Sequence, residues 1–144
     1  MRRTGSALVE FAMVVPLLLG MLVGIVEFGW LVRNNYAVSN ATREGARFAA
    51  LGKTTTQTQN RTKEASPLSI ADTDITLTYL PSGATDIPAN WLPWPDETNL
   101  PKNAVPVDTP LRVRVRVQHR PLTGFFSILR SRFIEQSTVM RREL

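Results

Sequence analysis

Residues 5–30 read GSALVEFAMVVPLLLGMLVGIVEFGW, and this stretch decides the architecture of the chain. From Phe11 to Val26 it holds sixteen consecutive residues without a charge. The apolar character extends over residues 8–32, a length that corresponds to a helix of about 38 Å. Since the hydrocarbon core of a bilayer is roughly 30 Å thick, the stretch predicts a transmembrane helix.

The residues that flank this segment indicate its orientation. Arg2 and Arg3 precede it, so the positive-inside rule predicts a cytoplasmic N-terminus and places the remaining domain outside the inner membrane. Trp30 falls near the expected outer interface, where indole rings are favoured. A secretory signal peptide would begin in a similar way, but no convincing small-x-small cleavage site follows the apolar run.

Glu10 is an unexpected carboxylate just inside the apolar run, five residues after Gly5. The border GSALVEF resembles the processing site of type IV pilin precursors, in which a short basic leader ends in Gly. The resemblance implies that residues 1–5 are a leader, that Ser6 becomes the N-terminus and that Glu10 is the fifth mature residue. Glycine lets a peptidase approach the backbone closely. Because an unpaired carboxylate is disfavoured in a membrane, we expect Glu10 to pair with an ammonium group during subunit assembly.

Small residues recur at helical spacing in two places. Gly20 and Gly24 form a small-xxx-small pair inside the predicted span 6–32, which would let another helix approach closely. Residues 33–52 are predicted to continue the helix outside the membrane, with Gly52 as its stop. This continuation carries a small-residue stripe suited to packing against another helix or a sheet. The members of the stripe are Ala37, Ala41, Gly45 and Ala49.

The first third of the chain resembles the TadE-like family, the minor pilins or pseudopilins of the tight-adherence type IV pilus. The resemblance covers residues 5–52 and rests on A-L-V-E-F-A, a Pro followed by Leu residues, a second Glu at Glu27, and A-x-R-E-G-A-R. It implies cleavage by a prepilin peptidase and handling by an inner-membrane pilus assembly platform. Other pilin or pseudopilin subunits are the implied partners, and pilus assembly and surface adhesion are the implied role.

Glu27 does not share a helix face with Glu10, because it lies 17 residues later and about 260° around the helix. We therefore expect Glu27 to be a surface residue that is either solvated or paired with Arg33.

Residues 53–144 are predicted to form a small domain outside the membrane. Residues 53–66 are polar and short of core residues, which indicates a linker or an exposed turn. Residues 81–110 contain seven of the ten prolines and are predicted to be a long loop without regular structure. Residues 122–133 suggest a short helix or turn.

Alternating apolar and polar residues predict strands at 74–80 and 111–118, and a third strand is predicted at 133–140. The sequence thus predicts an α+β, pilin-like fold, in which the long N-terminal helix packs on an antiparallel sheet of about three strands.

Two groups of residues in the outer domain are candidates for surface contacts. Trp91 and Trp94 lie in the Pro-rich loop and would contact a neighbouring subunit or another surface, although we expect at least one to pack over the sheet. Three arginines alternate along LRVRVRVQ, where they would bind phosphate or an acidic partner, or form a solvated face that discourages aggregation. They are Arg112, Arg114 and Arg116.

The composition argues against several functional classes. The chain has no cysteine and only one histidine, His119, so neither a disulfide nor a multi-histidine metal cluster is available. Without a Ser/His/Asp set or a phosphate loop, we expect no enzymatic activity and no cofactor. The net charge of +5 is scattered, so specific nucleic-acid binding is not expected. The alternative to a pilin is an unprocessed single-span membrane protein whose outer domain scaffolds an envelope or secretion complex.

Overall fold

One long helix dominates the molecule. The computed structural model describes three parts of the chain, residues 3–94, 105–124 and 132–143. Helix α1, Arg3–Ala50, has 48 residues and is therefore about 72 Å long. It runs without a break through the predicted span and its predicted continuation. Gly52 follows with a φ of 70°, a left-handed conformation that glycine adopts without strain and that commonly ends a helix.

The two halves of α1 have different surroundings. From Ala7 to Val26 its side chains are exposed or half-exposed, although nearly all of them are apolar. From Glu27 onward the helix carries buried residues and contacts the rest of the domain. A helix that is apolar on all sides needs an apolar environment. In length and composition α1 is sufficient to cross a membrane, which fits a single-pass membrane protein.

A second helix, α2, spans Thr55–Glu64, so the predicted linker at 53–66 is wrong. Thr54 and Gln57 start it with a capping box, in which each side chain accepts a hydrogen bond from the other's backbone N–H. The helix has no aliphatic or aromatic side chain, but Thr58 and Thr62 are fully buried. Hydropathy patterns miss such a helix because threonine methyl groups provide its apolar contacts.

The outer domain contains a four-stranded antiparallel sheet with the order β2-β1-β3-β4. Its strands are β1 (Ile75–Tyr79), β2 (Leu92–Pro93), β3 (Pro110–Gln118) and β4 (Phe133–Arg141). The α+β class and the three predicted strands are confirmed. The expectation of no regular structure in residues 81–110 is wrong, because β2 and a 3-10 turn at Pro88–Asn90 lie there. A two-residue strand is too short to show alternation, and its proline is tolerated because β2 is an edge strand.

The hydrophobic core lies between the second half of α1 and the inner face of the sheet. Val113 and Val115 of β3 are fully buried beside Leu77 and Ile75 of β1. The arginines of β3 alternate with these valines and point to the other face, as the period of two predicted. Burial of each such aliphatic side chain contributes about 1.5–3 kcal/mol, so the sheet holds the domain on α1. The predicted turn at 122–133 lies largely outside the described residues.

Candidate processing and assembly site

The predicted cleavage site lies in the first turn of α1. Gly5 is exposed, and no atom lies within 4 Å of the position that a Cβ would occupy there. The first four N–H groups of a helix have no partner within it, so this turn unwinds more easily than a turn in the interior of the helix. The backbone at Gly5 is therefore open to a partner from outside the chain.

Glu10 lies one helical turn after Ser6, on the exposed half of α1. Leu8 and Phe11 next to it are also exposed, so the carboxylate is set in an apolar surface. No cationic side chain among those that the structure describes pairs with it. A carboxylate in this position is costly inside a bilayer unless a cation reaches it.

Gly20 and Gly24 form an open notch on the same half of the helix. No atom lies within 4 Å of a Cβ built at either position, so nothing in the chain occupies the notch. Pro16, one turn earlier, removes an N–H from the helix and leaves the carbonyl of Ala12 without its usual donor.

The small-residue stripe lies against the chain's own outer domain. Ala41 and Ala49 are fully buried, Gly45 is also buried, and Ala37 is half-buried. A Cβ added at Gly45 would collide with the hydroxyl of Thr62 in α2 and would lie 3.5 Å from Val113 Cγ1 in β3. The stripe thus packs against both a helix and the sheet, in contrast to the open notch at Gly20 and Gly24.

The candidate contact residues at one end of the sheet bind one another. The Arg112 guanidinium lies 3.8 Å from the ring centroid of Trp91, and both side chains contact the same carboxylate. Asp86 Oδ1 accepts a hydrogen bond from Trp91 Nε1 at 2.8 Å and lies 3.2 Å from an Arg112 nitrogen. Trp94 takes a different position, packing on the core with its ring edge-on to Tyr79 at 6.3 Å.

The other two arginines of β3 contact β4. Glu135 lies opposite them, with its oxygens 3.4 Å from Arg114 and 4.0 Å from Arg116. Arg116 also covers the ring of Phe133, at 4.1 Å from its centroid. The outer face of the sheet is therefore a network of exposed ion pairs, and much of its positive charge is already compensated.

Glu27 has a role that the sequence reasoning missed. Only 1% of it is accessible, so the expectation of a solvated or Arg33-paired residue is wrong. Its carboxylate accepts hydrogen bonds from Leu122 N, Thr123 N and Thr123 Oγ1, each 3.0 Å long. Arg33 instead lies over the ring of Trp30, 4.8 Å from its centroid. The only sequence signal for this contact was an acidic residue within an apolar run.

His119 completes this contact between α1 and the segment after β3. Its Nε2 lies 3.8 Å from Glu27 Oε1, and both side chains are almost fully buried. One turn along α1, Trp30 Nε1 donates a hydrogen bond to the carbonyl of Arg120 at 3.2 Å. We call the set of bonds from Glu27 to Leu122 and Thr123 the Glu27 clasp. Within the described parts of the chain, no group of three His, Asp or Glu side chains is placed to hold a metal ion.

Comparison with known proteins supports the interpretation of the N-terminal region. No curated protein and no solved structure matches the chain significantly. A family model described as TadE-like protein matches residues 5–47, which include Gly5, Glu10, Glu27 and the NATREGAR segment of α1. The match confirms the resemblance seen in the sequence: residues 5–47 of this chain are similar to TadE-like proteins.

Proposed function

We propose that this chain is a minor pilin, or pseudopilin, of a tight-adherence type IV pilus. The observation that supports this proposal is the start of the family match at Gly5, the predicted last residue of the leader. In this proposal a prepilin peptidase cleaves after Gly5, and the mature subunit begins at Ser6. The subunit then serves in the assembly or priming of the pilus and, through it, in attachment to surfaces.

In this proposal the exposed half of α1 provides the ion pair and the apolar contacts that join neighbouring subunits. Cleavage creates an ammonium group at Ser6, which is largely protonated at neutral pH. Glu10 has no partner among the described side chains, so an ammonium from its own or a neighbouring subunit would relieve the cost of its charge. Packing of neighbouring helices would cover the apolar surface from Ala7 to Val26. The notch at Gly20 and Gly24 would allow the closest approach.

In this proposal the subunit lies in the inner membrane, with its N-terminus in the cytoplasm and residues 53–144 in the periplasm. Arg2 and Arg3 support this orientation. An inner-membrane assembly platform would receive the subunit there, and incorporation into the filament would carry the outer domain to the cell exterior.

The N-terminal residue of the protein from its native membrane tests the proposal. Mass spectrometry should find a chain that starts at Ser6, and Gly5→Val should leave a chain that starts at Met1, because a β-branched side chain obstructs the peptidase. An intact Met1 in the unaltered protein would contradict the proposal and favour the unprocessed scaffold protein. A start beyond residue 30 would indicate a secretory signal peptide instead.

A further inference from the structure

Three exposed arginines lie around α1 where it enters the outer domain. The guanidinium group of Arg33 stacks on the indole ring of Trp30, 4.8 Å from the ring centroid. Trp30 Nε1 in turn donates a hydrogen bond to the carbonyl of Arg120, at 3.2 Å. The next residue back, His119, donates its backbone N–H to the carbonyl of Arg132 at 2.9 Å. These contacts bring three chain segments to one end of the domain, and we call Arg33, Arg120 and Arg132 the arginine collar.

Among the described residues, the collar differs from the arginines of the sheet in having no carboxylate partner. Arg112 lies 3.2 Å from Asp86, and Arg141 lies 2.8 Å from Asp108. By contrast, no carboxylate in the described parts of the chain comes within ion-pair distance of a collar arginine. The collar therefore presents positive charge that is available to an anion from outside the protein.

The collar lies at the edge of the exposed apolar helix. Ala7–Val26 comprises 20 residues and is about 30 Å long, which equals the thickness of a hydrocarbon core. Glu27 follows directly and lies inside the predicted span 6–32, yet it holds Leu122 and Thr123 through the clasp. The side chain of Leu122 is 57% exposed. If residues 7–26 span the bilayer, a loop fixed at this height on α1 would lie at the bilayer surface.

A cavity with both polar and apolar lining residues opens beside the collar, between α1 and the sheet. It has a volume of about 420 Å³, and Trp30, Asn34, His119 and Arg120 are among its lining residues. Asn34 Oδ1 and both ring nitrogens of His119 are buried without a hydrogen-bond partner among the described residues, although His119 Nε2 lies 3.8 Å from Glu27 Oε1. Buried polar groups are normally hydrogen-bonded, so these atoms indicate a ligand that carries hydroxyl groups or water.

We propose that the collar and this cavity bind the headgroup of an anionic phospholipid of the phosphatidylglycerol type, while Leu122 inserts into the bilayer. Guanidinium groups match phosphate oxygens in geometry and charge, so the collar would bind the phosphate. The glycerol hydroxyls would then donate to Asn34 Oδ1 and bond the imidazole of His119. The outer domain would be attached to the membrane at two places, α1 and the collar, which fixes its orientation. This inference rests on the membrane anchoring in the proposed function and not on cleavage.

The experiment uses the full-length chain in nanodiscs, with one reporter at the loop. Because the protein has no cysteine, Leu122→Cys accepts a single fluorescent label, and Ser82→Cys in an exposed turn at the other end of the sheet is the matched control. Spin-labelled lipids should quench the label at position 122 and leave the label at 82 unaffected. Quenching should increase when phosphatidylglycerol is added to phosphatidylcholine. It should increase less with phosphatidylserine, which has the same net charge but a serine headgroup in place of the glycerol headgroup.

Charge variants test the collar itself. Arg120→Gln/Arg132→Gln should shift the midpoint of a phosphatidylglycerol titration by about fivefold for each arginine removed. Arg43→Gln/Arg47→Gln removes the same charge from exposed positions further along α1 and should leave the midpoint unchanged. Unaltered tryptophan emission in both double variants would verify that the domain remains folded.

Each alternative result would overturn a defined part of the inference. Absence of quenching at position 122 in every lipid would show that the loop does not reach the bilayer. Equal quenching with and without phosphatidylglycerol would exclude headgroup binding, and equal responses to the two anionic lipids would exclude a role for the cavity. The Met1 and Ser6 forms should behave alike, so a failure of the processing proposal remains distinguishable from a failure of lipid binding.

Discussion

Replacement of Glu27 by alanine should release the loop after β3 from α1. The carboxylate accepts three hydrogen bonds of 3.0 Å from Leu122 and Thr123, and bonds to a charged group contribute about 1.5–3 kcal/mol each. Because the loop is only partly buried, water can replace some of these bonds. We therefore expect a local loss of about 2–4 kcal/mol rather than the full sum. At 1.36 kcal/mol per factor of ten, the amides of Leu122 and Thr123 should exchange about 30- to 900-fold faster.

Hydrogen exchange of the full-length protein in micelles measures this effect directly. Glu27→Gln retains one acceptor oxygen and should give an intermediate rate, since its amide nitrogen cannot accept the remaining donors. Glu135→Ala is the matched control: its ion pairs with Arg114 and Arg116 are exposed and contribute at most about 1 kcal/mol. Unchanged exchange at Leu122 and Thr123 in Glu27→Ala would refute the argument that the clasp holds the loop.

Three further predictions concern the rest of the chain. Gly45→Ala should destabilise the outer domain by about 1–2 kcal/mol in urea unfolding, because its Cβ meets Thr62, whereas Gly20→Ala should be neutral or stabilising. Val113→Ala removes two methyl groups from a fully buried position and should lower the free energy of unfolding by about 2–3 kcal/mol in the same assay. Glu10→Ala should leave the protein level nearly normal but reduce the number of pili seen by electron microscopy, and normal piliation would exclude a role in assembly.

Much of the fold could be predicted from periodic patterns of apolar residues. The alternation in LRVRVRVQ predicted β3 because a strand at the centre of a one-sided sheet must bury every second side chain. The apolar run predicted α1 because only a helix satisfies its own backbone in a membrane. Each of these elements could be predicted because its pattern of apolar residues lies within one continuous stretch of sequence.

The features that were missed depend on contacts between distant segments. Helix α2 has a polar sequence, and its stability on α1 depends on two buried threonines, Thr58 and Thr62, and on the absence of a side chain at Gly45. Glu27 lies 95 residues from Leu122 in the sequence, so no local pattern connects them. The residues of the predicted processing site were proposed from family resemblance, which relates Gly5 to Glu10, and not from periodicity.

In the proposed pilin, the distribution of small residues along α1 separates the residues that fold the outer domain from those that are available for subunit assembly. The stripe near Gly45 is already occupied by α2 and β3, so it cannot also receive a neighbouring subunit without unfolding the domain. The notch at Gly20 and Gly24 is unoccupied within the chain, and the apolar surface around it is exposed. The boundary between these regions falls at Glu27, where the outer domain first contacts the helix. It follows that contacts between subunit helices should involve Ser6–Val26, and that substitutions beyond Glu27 should affect assembly mainly through the stability or orientation of the outer domain.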